Sequence, residues 1–100
     1  MIKYLDKDKD LQDELVNDIS LVVFSATWCG PCQLLAETIE TYAKKNDISI
    51  TKVNVDDHGE LAQSYGVMVV PTVMLFKGKE LMKQATGYMN EEELASFINE

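Results

Sequence analysis

The segment Ser20 to Ala26 carries Leu21, Val22, Val23 and Phe24 with no polar interruption. Successive side chains of a strand point to opposite faces, so an unbroken apolar run needs cover on both faces of its sheet. The run is too short for a helix to bury alone, and its β-branched residues suit a strand. A chain built around it is expected to set helices above and below a central strand. With 100 residues the chain has the length of one domain, which buries roughly 60 to 70% of the surface its unfolded form exposes. One domain spanning residues 1–100 is the expectation.

The flanking patterns agree with that layering. A short strand is expected around Lys3 to Leu5. Leu11, Leu15, Val16 and Ile19 then recur at helical spacing, with Asp8 or Asp10 available as a cap. From Pro31 the apolar positions Leu34, Leu35, Ile39 and Tyr42 share a helix side until Asn46 and Asp47 break the pattern. Ile48 to Val55 reads as a second central strand, although its inward face is not clean. Asp56 or Asp57 is expected to cap a short helix through Leu61, Ala62 and Tyr65, which Gly66 ends in the left-handed conformation. Val73 to Phe76 and Glu80 to Ala85 form a hairpin turning at Lys77 to Lys79. Asn90 with Glu93 has the spacing of a capping box, opening a last helix through Leu94, Phe97 and Ile98. The order β-α-β-α-β-α-β-β-α indicates an α/β fold with a mixed sheet and helices on both faces.

Chemistry concentrates in Trp28, Cys29, Gly30, Pro31 and Cys32, where the buried strand hands over to a helix. Residues three apart on a helix lie close enough for two thiols to close and reopen a disulfide. Unpaired N–H groups and the helix dipole favour a thiolate at Cys29, which makes it the expected nucleophile. Cys32, one turn further in, is expected to be more buried and to attack the mixed disulfide. Pro31 suits the first turn, where its missing N–H costs no hydrogen bond. The competing readings are inert core thiols or half of a zinc site. Zinc requires four ligands, and His58, itself expected near the surface at a helix start, is the only other good candidate, so no metal and no cofactor is expected.

Trp28 to Cys32 resembles the active-site motif of the thioredoxin family. Phe24, Lys52, Asn54, Asp56, Gly66, Pro71, Thr72, Phe76, Gly78 and Gly87 also fall where thioredoxins carry such residues. The resemblance implies a thioredoxin fold, a mixed central five-stranded sheet flanked by four helices. It implies reduction of disulfide-containing protein substrates, with regeneration by an NADPH-dependent flavoprotein thioredoxin reductase. It further implies a cis Val70–Pro71 bond beside the cysteines, where the backbone of Val70 pairs with an incoming peptide. The substrate groove is then formed by Trp28, Gly30, Pro31, Val70, Pro71 and Gly87. A binding module with idle thiols and a dithiol tuned for oxidation or isomerisation are the other function classes such a chain allows.

Two positions depart from the family pattern. Thioredoxins usually bury an Asp where this chain has Val23, and usually carry a helix-kinking proline where it has Glu37. Val23 cannot take a proton from Cys32, nor pair with Lys52, which in the family lies near the acid. Lys52 and Glu37 remain the candidates for proton-transfer support, with Lys52 expected to reach Glu37, Asp56 or water. Met68, Met74, Met82 and Met89 read as core gap fillers, and the acidic run Glu91 to Glu93 as charge placed at a helix N-terminus.

The net charge of −8 disfavours nucleic acid and anionic membrane surfaces as partners. No apolar run approaches the roughly 20 residues of a membrane span, and the N-terminus lacks the apolar stretch of a secretory signal. A cytoplasmic monomer is therefore the expectation, in a compartment that keeps ordinary thiols reduced.

Overall fold

The computed structural model describes residues 1–100. The chain runs β1 (Ile2–Tyr4), α1 (Leu11–Glu14), β2 (Ile19–Ser25), α2 (Gly30–Lys45), β3 (Ser49–Asn54), α3 (Gly59–Ser64), β4 (Thr72–Lys77), β5 (Glu80–Thr86) and α4 (Glu91–Asn99). The five strands form one mixed sheet in the order β1-β3-β2-β4-β5. β3 runs parallel to both β1 and β2, whereas β4 is antiparallel to β2 and to β5. The apolar run thus occupies the centre of the sheet.

Its residues divide between two cores by parity. Leu21 and Val23 pack with Ile50, Val73 and Leu75 against Leu35, Ile39 and Tyr42 of α2 and Leu94 of α4. Val22 and Phe24 face the other way, with Val53, Met74 and Phe76, toward Leu11 and Leu15 at α1 and Ala62 of α3. Each such side chain, fully removed from water, contributes on the order of 1.5 to 3 kcal/mol. The unclean alternation of β3 has the same cause. Ile50 and Thr51 are both fully buried because helices cover both faces there.

The first helix is shorter than its apolar spacing suggests. Asp10 caps it, its carboxylate accepting from the Gln12 N–H at 3.0 Å, but the helix ends at Glu14. Val16 is exposed, and Ile19 is the first residue of β2, paired with Lys77. The ladder with β4 claims the backbone that a longer helix would need. α3 also starts later than expected. Its N-cap position is His58, with no side-chain cap, while Asp57 and His58 both donate their N–H groups to the Asn54 carbonyl in the preceding turn. His58 is buried rather than at the surface, because its ring lies under the loop after β1 with Nε2 3.1 Å from the Leu5 carbonyl oxygen. Gly66 ends α3 at φ +73°, as the sequence predicts.

The hairpin turns at Gly78, and α4 carries a complete capping box between Asn90 and Glu93. Glu91 in its first turn also meets Lys45 of α2 at 3.0 Å. Of the four methionines expected in the core, Met74 and Met89 are buried. Met82 lies on the open edge strand and Met68 on the loop before β4, and both are exposed.

Candidate redox site

β2 ends at Ser25, and the chain turns so that the Cys29 N–H donates to the Ala26 carbonyl at 3.3 Å. This turn makes Cys29 the N-cap of α2. Its Sγ accepts the Cys32 N–H at 3.2 Å, doing with sulfur what a serine or aspartate oxygen does at other helix starts. The sulfur that caps the helix thus sits at the terminus whose first N–H groups lack partners within the helix. Both cysteines are thiols, and Gly30 and Pro31 between them are exposed.

The expected difference in burial between the two thiols is absent, with Cys29 6% and Cys32 5% exposed. The reason is a second chain segment lying over the first cysteine. The Val70–Pro71 bond is cis, and the Val70 carbonyl oxygen sits 3.6 Å from Cys29 Sγ. Gly87, at φ +92°, donates its N–H to the Pro71 carbonyl at 2.9 Å and so ties the end of β5 to this segment. Burial has a chemical consequence at Cys32. Burial, and next the hydrogen bond with Cys29, push the Cys32 thiol up to about 11, while the Ala26 backbone and the positive charge of Lys52 pull the other way.

Trp28 is 68% exposed on the rim, its indole N–H donating to Asp56 Oδ2 at 3.0 Å. Beside it Val67, Met68, Val69 and Val70 line an apolar recess of about 180 Å³. Met68 and Val69 belong to this surface, which the reading of Met68 as a core gap filler missed. The signal was four apolar residues with no helical or strand period between Gly66 and Pro71.

Lys52 does not reach Glu37 or Asp56. Its ammonium lies 3.4 Å from the Tyr4 hydroxyl and 5.1 Å from the centre of the Tyr4 ring. Asp56 is engaged by Trp28, and Glu37 is exposed on α2. Val23 is 2% exposed and packed in the α2-side core, opposite Lys52 in the ladder.

Two thiols at a helix start, crossed by the backbone of a cis-proline loop on a mixed sheet, define a protein that exchanges electrons between dithiols and disulfides. The family model for thioredoxin matches residues 3–100, and the chain belongs to the thioredoxin family. It is 37% identical over 94 residues to a thioredoxin of Alicyclobacillus acidocaldarius, covering 91% of this chain and 90% of that one. It is 35% identical over 100 residues to a probable thioredoxin-2 of Caenorhabditis elegans, covering 96% of this chain and 69% of that one. Among solved structures, a mutant thioredoxin from Halobacterium salinarum superposes with a TM-score of 0.89 at 38% identity, covering 97% of this chain and 87% of that one. A reduced thioredoxin of Schistosoma mansoni gives 0.88 at 31%, covering 97% and 94%. The chain is a thiol-disulfide oxidoreductase acting on disulfide-containing proteins. No helix is long and apolar enough to cross a membrane.

Proposed function

We propose that the chain acts as a single-domain monomeric electron carrier of the cytoplasm, where it takes part in redox homeostasis. Cys29 attacks a substrate disulfide, Cys32 resolves the product, and an NADPH-dependent flavoprotein thioredoxin reductase restores the dithiol. In the first half-reaction the Cys29 thiolate forms a bond to one substrate sulfur, and the other substrate sulfur leaves as a thiolate that takes a proton from water. In the second, the Cys32 thiolate bonds to Cys29 Sγ, the bond from Cys29 to the substrate breaks, and the second substrate sulfur leaves. The substrate gains two electrons and the protein dithiol loses them. Trp28, Gly30, Pro31, Val70, Pro71 and Gly87 form the groove that receives the substrate.

The observation that carries this reading is the 3.6 Å approach of Cys29 Sγ to the Val70 carbonyl oxygen. It sets the nucleophile beside an irregular backbone segment available to a docking peptide, the mode in which main-chain contacts give affinity and neighbouring recesses give selectivity. Insulin reduction with dithiothreitol as electron donor tests it. Cys29→Ser should be inactive, and Cys32→Ser should accumulate as a mixed disulfide with insulin. Normal turnover by Cys32→Ser would overturn the assignment. Replacing dithiothreitol with NADPH and a bacterial thioredoxin reductase tests the electron source.

A further inference from the structure

Resolution requires Cys32 to lose a proton, and its burial opposes that loss. A crevice of about 180 Å³ reaches Cys32 from the side of β1 and β3, lined also by Ala26, Gln33, Tyr4, Lys52 and Asn54. No carboxylate lines it. Cys32, Tyr4 and Lys52 are its titratable groups, and Lys52 alone is charged at neutral pH. The remaining nearby groups are spoken for. Cys29 Sγ accepts the Cys32 N–H, Asp56 binds Trp28, Lys3 on β1 pairs with Glu14, and Glu37 and Glu40 of α2 are exposed.

Strand register sets the position of Lys52. It stands opposite Val23 of β2 on one side and Tyr4 of β1 on the other, so the three side chains share one face. A lysine on a flexible stem ordinarily keeps its ammonium in water. Here the Tyr4 ring lies under it, at 5.1 Å from the centroid, and the Tyr4 hydroxyl is 3.4 Å away. Tyr4 is 69% exposed on an edge strand, so the core does not depend on its ring.

We propose that Tyr4 is a positioning residue for the resolving step, holding the Lys52 ammonium in the crevice behind Cys32 so that its charge draws the Cys32 proton into the water of that crevice. The inference rests on the assignment of Cys32 as the resolving thiol. The proton passes from Cys32 Sγ to water, the thiolate forms the bond to Cys29 Sγ, and the departing substrate thiolate takes a proton from solvent. Lys52 stays protonated throughout. Charge at the crevice thus does the work for which a buried acid at position 23 is absent.

The test is the pH profile of Cys32 alkylation by iodoacetamide in a Cys29→Ser background, where Cys32 is the one remaining thiol. Lys52→Met should move the profile up by roughly half to one pH unit, a threefold to tenfold slower reaction at neutral pH. Tyr4→Leu should move it in the same direction by a smaller amount, about twofold to threefold in rate. Lys52→Arg should retain most of the wild-type profile. In Lys52→Met, adding Tyr4→Leu should change nothing further, because the residue it positions is gone. A Tyr4→Leu profile equal to the parent, or an undiminished Tyr4 effect without Lys52, would overturn the proposal. The assignment of Cys32 fails by a different sign, the absence of an insulin mixed disulfide in Cys32→Ser, and the alkylation profiles decide the role of Tyr4 in either case.

Discussion

Replacing Val23 with Asp puts a carboxylate where this chain has an aliphatic side chain that is 2% exposed and surrounded by Leu21, Leu35, Ile39 and Val73. The loss of apolar burial costs about 1.5 kcal/mol. An ionised carboxylate at such a depth adds a desolvation penalty of several kcal/mol, and Lys52, its ladder partner, returns part of it. If the acid stays protonated instead, burying it with incomplete hydrogen bonding costs roughly 1 to 3 kcal/mol. Either route gives a loss of about 3 to 5 kcal/mol at neutral pH, a large share of the 5 to 15 kcal/mol typical of a small domain. With a urea m-value of about 1 to 3 kcal/mol per molar, the unfolding midpoint should fall by about 1 to 5 M. The pH dependence separates charge from shape. Burial raises the carboxyl in the folded state above its unfolded value near 3.9, so the loss should be smallest below about pH 4 and grow as pH rises through the folded value. Urea titrations of wild type and Val23→Asp at several pH values measure this. A variant as stable as wild type, or a loss equal at acid and neutral pH, would refute the reasoning.

Further outcomes follow from the site and its supports. The Cys32 thiol, raised from 9.0 to about 11, keeps its proton in the folded state after the unfolded chain has lost it, so its contribution is complete below pH 9 and disappears as pH rises through about 11. The reduced protein should therefore lose stability relative to the disulfide form across that window, and equal pH slopes for the two forms in urea unfolding would contradict it. Met68→Asp, at a side chain 92% exposed beside the apolar recess, should leave stability within about 0.5 kcal/mol while raising KM for protein substrates about five- to tenfold with kcat little changed. An unaltered KM would remove Met68 from the docking surface. Asn90→Ala removes an acceptor 2.8 Å from the Glu93 N–H and should cost about 1 kcal/mol in urea unfolding without altering Cys29 reactivity.

What could be read from the sequence divides along the range of the interactions involved. The redox motif is legible because Trp28, Cys29, Pro31 and Cys32 lie within one turn, and the strand before it because four consecutive apolar residues leave few alternatives. The α4 capping box is equally local. The place of Lys52 was not legible, since it depends on a ladder that brings it beside Tyr4, 48 residues away. His58 carries no local sign of burial, because the carbonyl that receives its ring belongs to Leu5. The end of α1 misled for a related reason. Ile19 fits a helical period, but pairing with Lys77 satisfies its backbone better than another turn would.

Because β4 runs against β2, its first residue, Thr72, pairs with Phe24 near the end of β2, and a loop from the second half of the chain comes to rest on a cysteine from the first. Cys29 and Val70 are 41 positions apart in the chain. The thiol and the backbone carbonyl that lies against it are therefore encoded in separate stretches of the gene. A substitution in the Val67 to Val70 loop reshapes the apolar recess beside the thiols while the Cys29–Cys32 turn is inherited unaltered.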